Sequence, residues 1–556
     1  MEINKDQPRL KSGNLIAIFL IILLISIPSF ARMLKFGIFS MHDFHVFRLF
    51  EFDNCVKDKI FPCRWAKDSG FGYGEPVFSF YPQLSYFLAE PFVLSGLSIV
   101  NSTKIAFIIS LFGSGISMFF LAKYLWKDSL SAILSSTLYV NAPYRAVDVW
   151  VRGALPESMA FVFYPLCILF FERYMEKKNR KYQVLLGLSL GLLVLTHNLS
   201  FLMFGLFFSV WVIYRLWSKK LISLLPNIGI SCAIALLLAA FQLIPIVTEM
   251  KYIQIQKTLE GYYDYRAHFA TIKQLLISSH WGYGASLWGP VDDLSLSVGP
   301  FQWILAGAVV LIAVRKKSPL WQQITLTTAV GIISLFLAHN KSTFIWQTFP
   351  ILARLQFPWR WLSIATFSFA LAGGAISNLT KNKSLVIIIA LGVIIWNFQF
   401  QKPDIWYQIS DEDQFKGGRW DEQRASAVND FWPKYGKATP ISFAPTNLEF
   451  SSGSGSVGDF SVNSHSAAAT LILKEPSTIV FPIVYFPGWV ANSDQKPADV
   501  LPESQLGRIT LMLSSGKHDI NLVFKDTYSR RIGNLITVTT LLYSLVVLLK
   551  KDKYEI

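Results

Sequence analysis

Long apolar runs recur along the whole chain, most of them close to the length that crosses a bilayer. Crossing the hydrocarbon core takes about 20 apolar residues as a helix. About twelve segments approach that length: 13–33, 103–122, 128–143, 157–172, 182–197, 199–217, 221–245, 299–314, 321–339, 359–379, 384–399 and 531–549. Runs this long point to helices that satisfy their own backbone in lipid, hence a polytopic α-helical membrane protein. Composition agrees: 16% of the 556 residues are charged and mean hydropathy is +0.40, against about one-quarter charged in soluble chains. Aromatics at 15%, with 17 Trp, suit many residues at a membrane–water boundary. The first run is read as a span rather than a cleaved signal, because Arg32 and Lys35 follow it where small residues are expected.

The net charge of +15 invites a nucleic-acid reading, but its distribution argues against one. Basic residues recur in short loops, at Lys5 to Lys11, Lys123/Lys127, Arg173 to Lys181, Lys219/Lys220, Arg315 to Lys317, Lys381/Lys383 and Lys550 to Lys553. Placing all of these inside gives a regular zigzag with both termini cytoplasmic, in the cytoplasmic (inner) membrane. It requires 84–99 (SYFLAEPFVLSGLSIV) to remain on the outer face without crossing, as Glu90 and Pro91 in its middle suggest. The long segments 34–102, 144–156, 246–298, 340–358 and 400–530 then share the outer face. Nucleic acid drops out as a partner, since the basic excess is explained as topology.

Residues 401–529 carry 11 Lys+Arg and 15 Asp+Glu, a net −4. ATLILK at 469–474, TIVFPIVYF at 478–486, RITLMLS at 508–514 and DINLVF at 519–524 alternate like strands. SSGSGSVGD at 451–459 reads as turn separating strands. The expected organisation is a membrane domain over 1–399 with external loop 34–102, an extracytoplasmic β-sandwich over 400–530, and a final transmembrane anchor with cytoplasmic tail over 531–556.

Chemistry-bearing side chains concentrate in the outer segments. The first loop opens with His42, Asp43 and His45, followed by Arg48 and Glu51. A carboxylate there can take a proton from a nucleophile or hold a cation, with the imidazoles tuning or joining it. Asp43 is equally a good helix N-cap, with Phe44, Phe47 and Phe50 forming one apolar face. Both roles stay open. Gly70, Gly72 and Gly74, interleaved with Phe71 and Tyr73, suggest either a backbone approached by something flat or sugar-like, or simply a tight turn. Cys55 and Cys63 are both external and can pair; Cys167 and Cys232 fall in spans, as packing residues. No CxxC or HExxH occurs, so a dedicated zinc site is unsupported. Further clusters reach the same face: Tyr144, Arg145, Arg152 and Glu157 in YRAVDVWVRGALPE, His197 and Asn198 in LTHNLS, His280, and Arg354 and Arg360 in ARLQFPWRWL. Any single Arg at a span end is often a snorkelling anchor. Several together suit the phosphate of a lipid carrier, which Arg binds bidentately.

HDFHVFRL, RWAKDSGFGYGEPVFSFYPQLSYFL, YR…RGALPE, LTHN, LQFPWRW, FPIVYFPGW and GKHDINLVF together resemble the bacterial membrane proteins called 6-pyruvoyl-tetrahydropterin synthase-related, and the YfhO-like proteins. Both groups resemble GT-C fold glycosyltransferases. The resemblance implies a GT-C-like membrane domain that transfers a sugar, with inversion, from a polyprenyl-phosphate donor to an extracytoplasmic glycan, lipid or protein acceptor. It places Asp43 as catalytic base or as ligand of a divalent cation (Mg or Mn). It makes His42, His45, Tyr73, Arg145, Arg152, Glu157, His197, Asn198 and Arg360 the expected substrate-binding residues, with Arg152 or Arg360 on the leaving phosphate. In NDFWPKYGKATP (429–440), Phe431-Trp432 stand where relatives often carry Tyr-Leu before the proline. Two other classes remain: a transporter or flippase of lipid-linked saccharide, which would favour ionisable residues near mid-membrane and internal repeats, and a non-catalytic scaffold for cell-envelope assembly.

Overall fold

A computed structural model of the chain describes residues 12–550 apart from 43, 256–258, 288–291 and 427. Every one of the expected spans folds as helix. Among the described residues, Leu15–Leu34, Ile99–Trp126, Leu155–Lys177, Asn198–Ser218, Trp321–Ala338, Pro358–Thr380 and Tyr528–Leu549 are long and apolar enough to cross a membrane. The pair Ile222–Leu238 and Ala240–Tyr252, bent by 72° at its break, is apolar enough to cross only if both helices are taken together. Ser129–Val140, Arg180–Thr196, Pro300–Arg315 and Lys383–Phe398 are shorter, at 12, 17, 16 and 16 residues. At 1.5 Å per residue these fall below the roughly 30 Å core thickness. Leu84–Leu94, 11 residues long, is also too short to cross.

Segments far apart in sequence are tied together at helix ends by backbone groups that lipid would leave unpaired. The Asp411 carboxylate accepts the Ile99 and Val100 N–H groups at 2.6 and 2.9 Å, capping the 28-residue helix Ile99–Trp126 from the far end of the chain. At the break before Ala240, the Thr537 hydroxyl of the final helix accepts the Phe241 N–H at 2.9 Å and donates to the Leu238 carbonyl at 3.0 Å. Gly533 makes this approach possible: a Cβ there would sit 2.7 Å from the Ala240 carbonyl oxygen.

The β-sandwich has a four-stranded and a five-stranded antiparallel sheet. The first runs Glu449–Ser452, Ser477–Val484, Arg508–Leu513, Leu501–Pro502 in spatial order. The second runs Gly455–Val462, Ser466–Leu473, Gly516–Phe524, Trp489–Ser493, Lys496–Ala498. Alternation places Ala467, Ala469, Leu471 and Leu473 inside, with Ile520 and Leu522 opposite Ala469 and Ala467. The reading of 451–459 as turn is corrected: most of it belongs to two edge strands. Their Gly and Ser side chains are largely exposed, so they lack the buried alternate positions that mark a strand in sequence.

The first loop is the platform for this sandwich. Gly70, Gly72 and Gly74 all have positive φ (60°, 85° and 80°) and form successive tight turns on Ser69 and Gly70. A Cβ on Gly74 would meet the Trp65 ring at 2.5 Å, and one on Gly70 the Trp432 ring at 2.7 Å. The flat groups against this glycine backbone are therefore the chain's own indoles. Trp65 meets Trp489 and Phe524 of the sandwich edge-on and tilted, at 5.4 and 5.0 Å. A Cys55–Cys63 disulfide closes the preceding turn. The helix His45–Lys57 has its N-cap position at Phe44, which offers no side-chain acceptor; Asp43, expected as cap and as base, lies outside the described residues. Phe47 and Phe50 do share a face, packed on Trp420 and Phe415.

Candidate functional site

Five segments that are far apart in sequence converge on one cavity of about 580 Å³. His42, Arg48 and Tyr81 come from the first loop, Arg152 from the second, and Tyr262 and Ser286 from the third. Arg354 and Phe357 come from the fourth, Asp430 and Phe431 from the fifth, and Glu157, His197 and Arg360 from span ends.

Local sequence sets most of these side chains. A widened helical turn, Val147–Val151, ends at Arg152. Gly153 follows with φ +64°, packed so tightly on Met41 that a Cβ would lie 2.2 Å from the Met41 Cβ. That contact lets the His42 N–H donate to the Arg152 carbonyl at 3.1 Å, fixing the first loop to the second. Leu155–Lys177 then starts with Pro156 and Glu157 in its first turn, where the proline costs no hydrogen bond and the carboxylate faces the positive helix end. His197 closes Arg180–Thr196 and opens Asn198–Ser218; its extended backbone (φ −158°) turns the chain, and Nδ1 contacts the Ser200 hydroxyl at 2.7 Å.

A chain of alternating charges runs through the wall. Arg145 Nη1 lies 3.7 Å from Asp148; Arg152 Nη1 lies 2.9 Å from Asp148 and 2.8 Å from Glu157; Arg360 Nε lies 3.9 Å from Glu157. Tyr144 donates to the second Glu157 oxygen at 2.6 Å. Arg152 stacks on Trp359 at 4.7 Å, and Arg360 on Phe357 at 4.9 Å. Burial works against the Arg152 charge, but Glu157, Tyr144 and Asp148 more than offset it and hold its pKa above the ordinary arginine value. Arg354 differs: it is exposed at the rim, with no carboxylate within ion-pair distance among the described residues.

Of the residues expected to bind substrate, the fold brings together His42, Arg152, Glu157, His197, Asn198 and Arg360. It places three elsewhere. His45 is fully buried with both ring nitrogens used: Nε2 accepts the Leu155 N–H at 3.2 Å, so Nδ1 carries the proton toward the Tyr86 hydroxyl at 2.8 Å. Tyr73 is buried in the junction with the sandwich, edge-on to Trp432. Arg145 is fully buried behind the wall, donating to the Ser158 carbonyl at 3.1 Å. His280 is exposed and outside the cavity.

The sequence reading passed over Asp148, Tyr262, Ser286, His268 and Asp430. Only Asp148 left a signal, three residues after Arg145 and four before Arg152. His268 donates through Nε2 to the Tyr262 carbonyl, which leaves Nδ1 to accept from the Ser286 hydroxyl at 3.0 Å. The Trp359 indole donates to the same hydroxyl at 3.2 Å. Burial lowers the His268 pKa, keeping the ring neutral.

Residues 78–403 match the family described as 6-pyruvoyl-tetrahydropterin synthase related domain, membrane protein. The chain belongs to this family. No curated protein sequence matches it. Several solved structures resemble it at low identity, three of them as follows. Arabinofuranosyltransferase AftD from Mycobacteria has TM-score 0.46 and 11% identity, over 73% of this chain and 28% of that one. The Archaeoglobus fulgidus oligosaccharyltransferase tethered to an acceptor peptide has TM-score 0.43 and 13% identity, over 78% and 60%. Its apo form has TM-score 0.42 and 11% identity, over 79% and 62%. The chain thus spans 28% of the length of the first and about three-fifths of the second.

Proposed function

We propose that this membrane protein is an inverting glycosyltransferase whose donor is a sugar on polyprenyl phosphate. The observation that carries the reading is the composition of the large cavity. Among its described lining residues, four arginines (Arg48, Arg152, Arg354, Arg360) face two carboxylates (Glu157, Asp430), an excess of positive charge that suits an anion. Leu199, Met250 and Leu259 give it an apolar side, and Tyr81, Tyr262, Phe357 and Trp359 offer ring faces of the kind that pack on sugars. A phosphate with an apolar tail on one side and a sugar on the other meets all three requirements.

In this reading Arg354 and Arg360 hold the phosphate, Arg354 because no carboxylate among the described residues already claims it. Glu157 keeps Arg152 and Arg360 in place. Asp43, adjacent in sequence to His42 at the cavity wall, takes the proton of an acceptor hydroxyl. The acceptor oxygen attacks the anomeric carbon in line, and polyprenyl phosphate leaves with the bonding pair. The described residues include no group of three metal-ligating side chains. The cavity faces the outer side of the cytoplasmic membrane, with both termini inside.

The test is transfer of labelled sugar from polyprenyl phosphate by the purified protein. Arg354→Ala is expected to weaken polyprenyl-phosphate binding about 10- to 100-fold, the worth of a charge-assisted contact of roughly 1.5–3 kcal/mol, with Tm unchanged. Unchanged binding removes the rim arginine from the donor site, and absence of both transfer and donor binding in the wild type removes the reading.

A further inference from the structure

Between two arginines of the large cavity, the chain turns back on itself within three residues. Gln356 has φ +63° and ψ −46°, and the Phe357 N–H donates to the Leu355 carbonyl at 2.6 Å. This is a γ-turn with positive central φ, the rare and strained form. Other side chains with positive φ are different. Lys127, Lys178 and Lys381 end helices with ψ of 20°, 31° and 13°, inside the ordinary left-handed region; Gln356 lies outside it. Glycine occupies such a turn at no steric cost. A glutamine kept there against strain therefore points to a task for its side chain.

Both neighbours of Gln356 are buried. Phe357 is held by Trp359, stacked at 5.0 Å, and by His268, edge-on at 4.6 Å. With Leu355 and Phe357 turned inward, Gln356 lines the cavity together with Arg354 and Arg360. The turn then offers two acceptors to one nitrogen: Arg360 Nη1 donates to the Leu355 carbonyl at 2.8 Å and to Gln356 Oε1 at 3.3 Å. The Leu355 carbonyl thus accepts from both Phe357 and Arg360, which couples the strained backbone to the arginine. The guanidinium also lies over the Phe357 ring at 4.9 Å, with Nε 3.9 Å from Glu157. Its plane is fixed from three sides.

We propose that Gln356 is a positioning residue for the phosphate of the lipid donor: its strained turn and its side-chain oxygen hold Arg360 as a fixed planar donor. A bidentate grip on phosphate needs the guanidinium plane in one orientation. Fixing that plane before the ligand arrives spares binding the loss of side-chain freedom. The folded chain carries the corresponding strain in the turn. Arg354, on the other arm of the same turn, needs no such support to reach the rim. The inference rests on the polyprenyl-phosphate reading of the cavity and names the residue that lets it discriminate the lipid phosphate from the uncharged lipid alcohol.

The experiment uses the full chain in nanodiscs with two probes of equal length, geranylgeranyl phosphate and geranylgeraniol, and records affinity and Tm for each variant. The wild type is expected to prefer the phosphate. Gln356→Gly relaxes the turn, so its Tm should hold or rise as relief of strain offsets the added freedom of the unfolded chain; Gln356→Ala keeps the strain and should show no such gain. Both remove the Oε1 contact, and both should weaken phosphate binding about 10-fold, as loss of a hydrogen bond to a charged group does, with geranylgeraniol binding unchanged. Arg360→Ala should show the same selective loss, and adding Gln356→Gly to it should cost nothing further, because Gln356 acts through Arg360. Phosphate affinity retained in both Gln356 variants overturns the inference and leaves the donor site standing. Equal loss of both lipids overturns it too, since a purely structural role would do that, as do losses that add to those of Arg360→Ala. A wild type that binds the two lipids alike, or neither, removes the polyprenyl-phosphate reading itself.

Discussion

The joint between sandwich and membrane bundle contains a buried ion pair, and breaking it from either side should have a distinctive signature. Arg530, at 0% exposure, meets Glu249, at 3%, through Nε at 2.9 Å and Nη2 at 2.7 Å. Arg530 also donates to the carbonyls of Pro487 (3.0 Å) and Lys525 (3.4 Å), while Thr527 donates to the other Glu249 oxygen at 2.7 Å. Arg530→Met strands a buried carboxylate, and Glu249→Leu strands a buried guanidinium; each should cost about 3–5 kcal/mol. The double variant removes both charges. It loses the two carbonyl contacts and the Thr527 and Ser529 bonds, each worth about 1 kcal/mol or less, for a total of about 2–4 kcal/mol. The coupling between the sites is then several kcal/mol. Thermal unfolding followed by tryptophan fluorescence reads it, since Trp65 and Trp489 are buried in the joint. At roughly 2–4 °C per kcal/mol for a unit of 150–250 residues, each single variant should lower Tm by about 6–20 °C. Single losses under about 1 kcal/mol, or a double variant as damaged as the two singles added, would refute the reasoning.

Three further outcomes are expected. Gly153→Ala places a methyl on the Met41 Cβ in a left-handed conformation that costs about 1–2 kcal/mol by itself; it should shift the first loop and reduce transfer at least 10-fold with a modest drop in Tm, and wild-type turnover would contradict the pinned-loop account. Asp411→Ala removes both acceptors from the Ile99–Trp126 N-terminus and should cost about 0.5–2 kcal/mol, with Asp411→Asn losing less; equal losses would show that the capping geometry is not the cause. Burial and the neighbouring Asp53 raise the Glu90 carboxyl from 4.5 to about 7, so between those values the folded chain holds a proton the unfolded chain has lost. Stability should therefore fall as pH rises through that window and level off above it; Glu90→Gln should flatten the profile, and an unchanged slope would assign it to other groups.

Apolar periodicity was enough to locate the helices, because a span must satisfy its own backbone whatever surrounds it. The strands at 466–473, 477–484, 508–513 and 516–524 were legible from side chains that alternate inward and outward. The edge strands were not, since an edge of Gly and Ser buries little and carries no period. His45 and Tyr73 were misread for a related reason. Polar and aromatic residues in an outer loop look accessible until the sandwich and the Leu155–Lys177 helix cover them. Asp430 and Tyr262 reach the cavity from long segments without a repeating pattern, so nothing in their surroundings marked them.

Sequence alone determined that the chain is a polytopic membrane protein with a β-domain, because hydrophobic length and apolar alternation are properties of local stretches. Only the tertiary structure decided which outward arginines are spoken for. Arg145 and Arg152 meet Asp148 and Glu157, whereas Arg354 meets no carboxylate among the described residues. Ion pairing is set by distances of a few ångströms among side chains from different helices and loops, and no linear pattern encodes them.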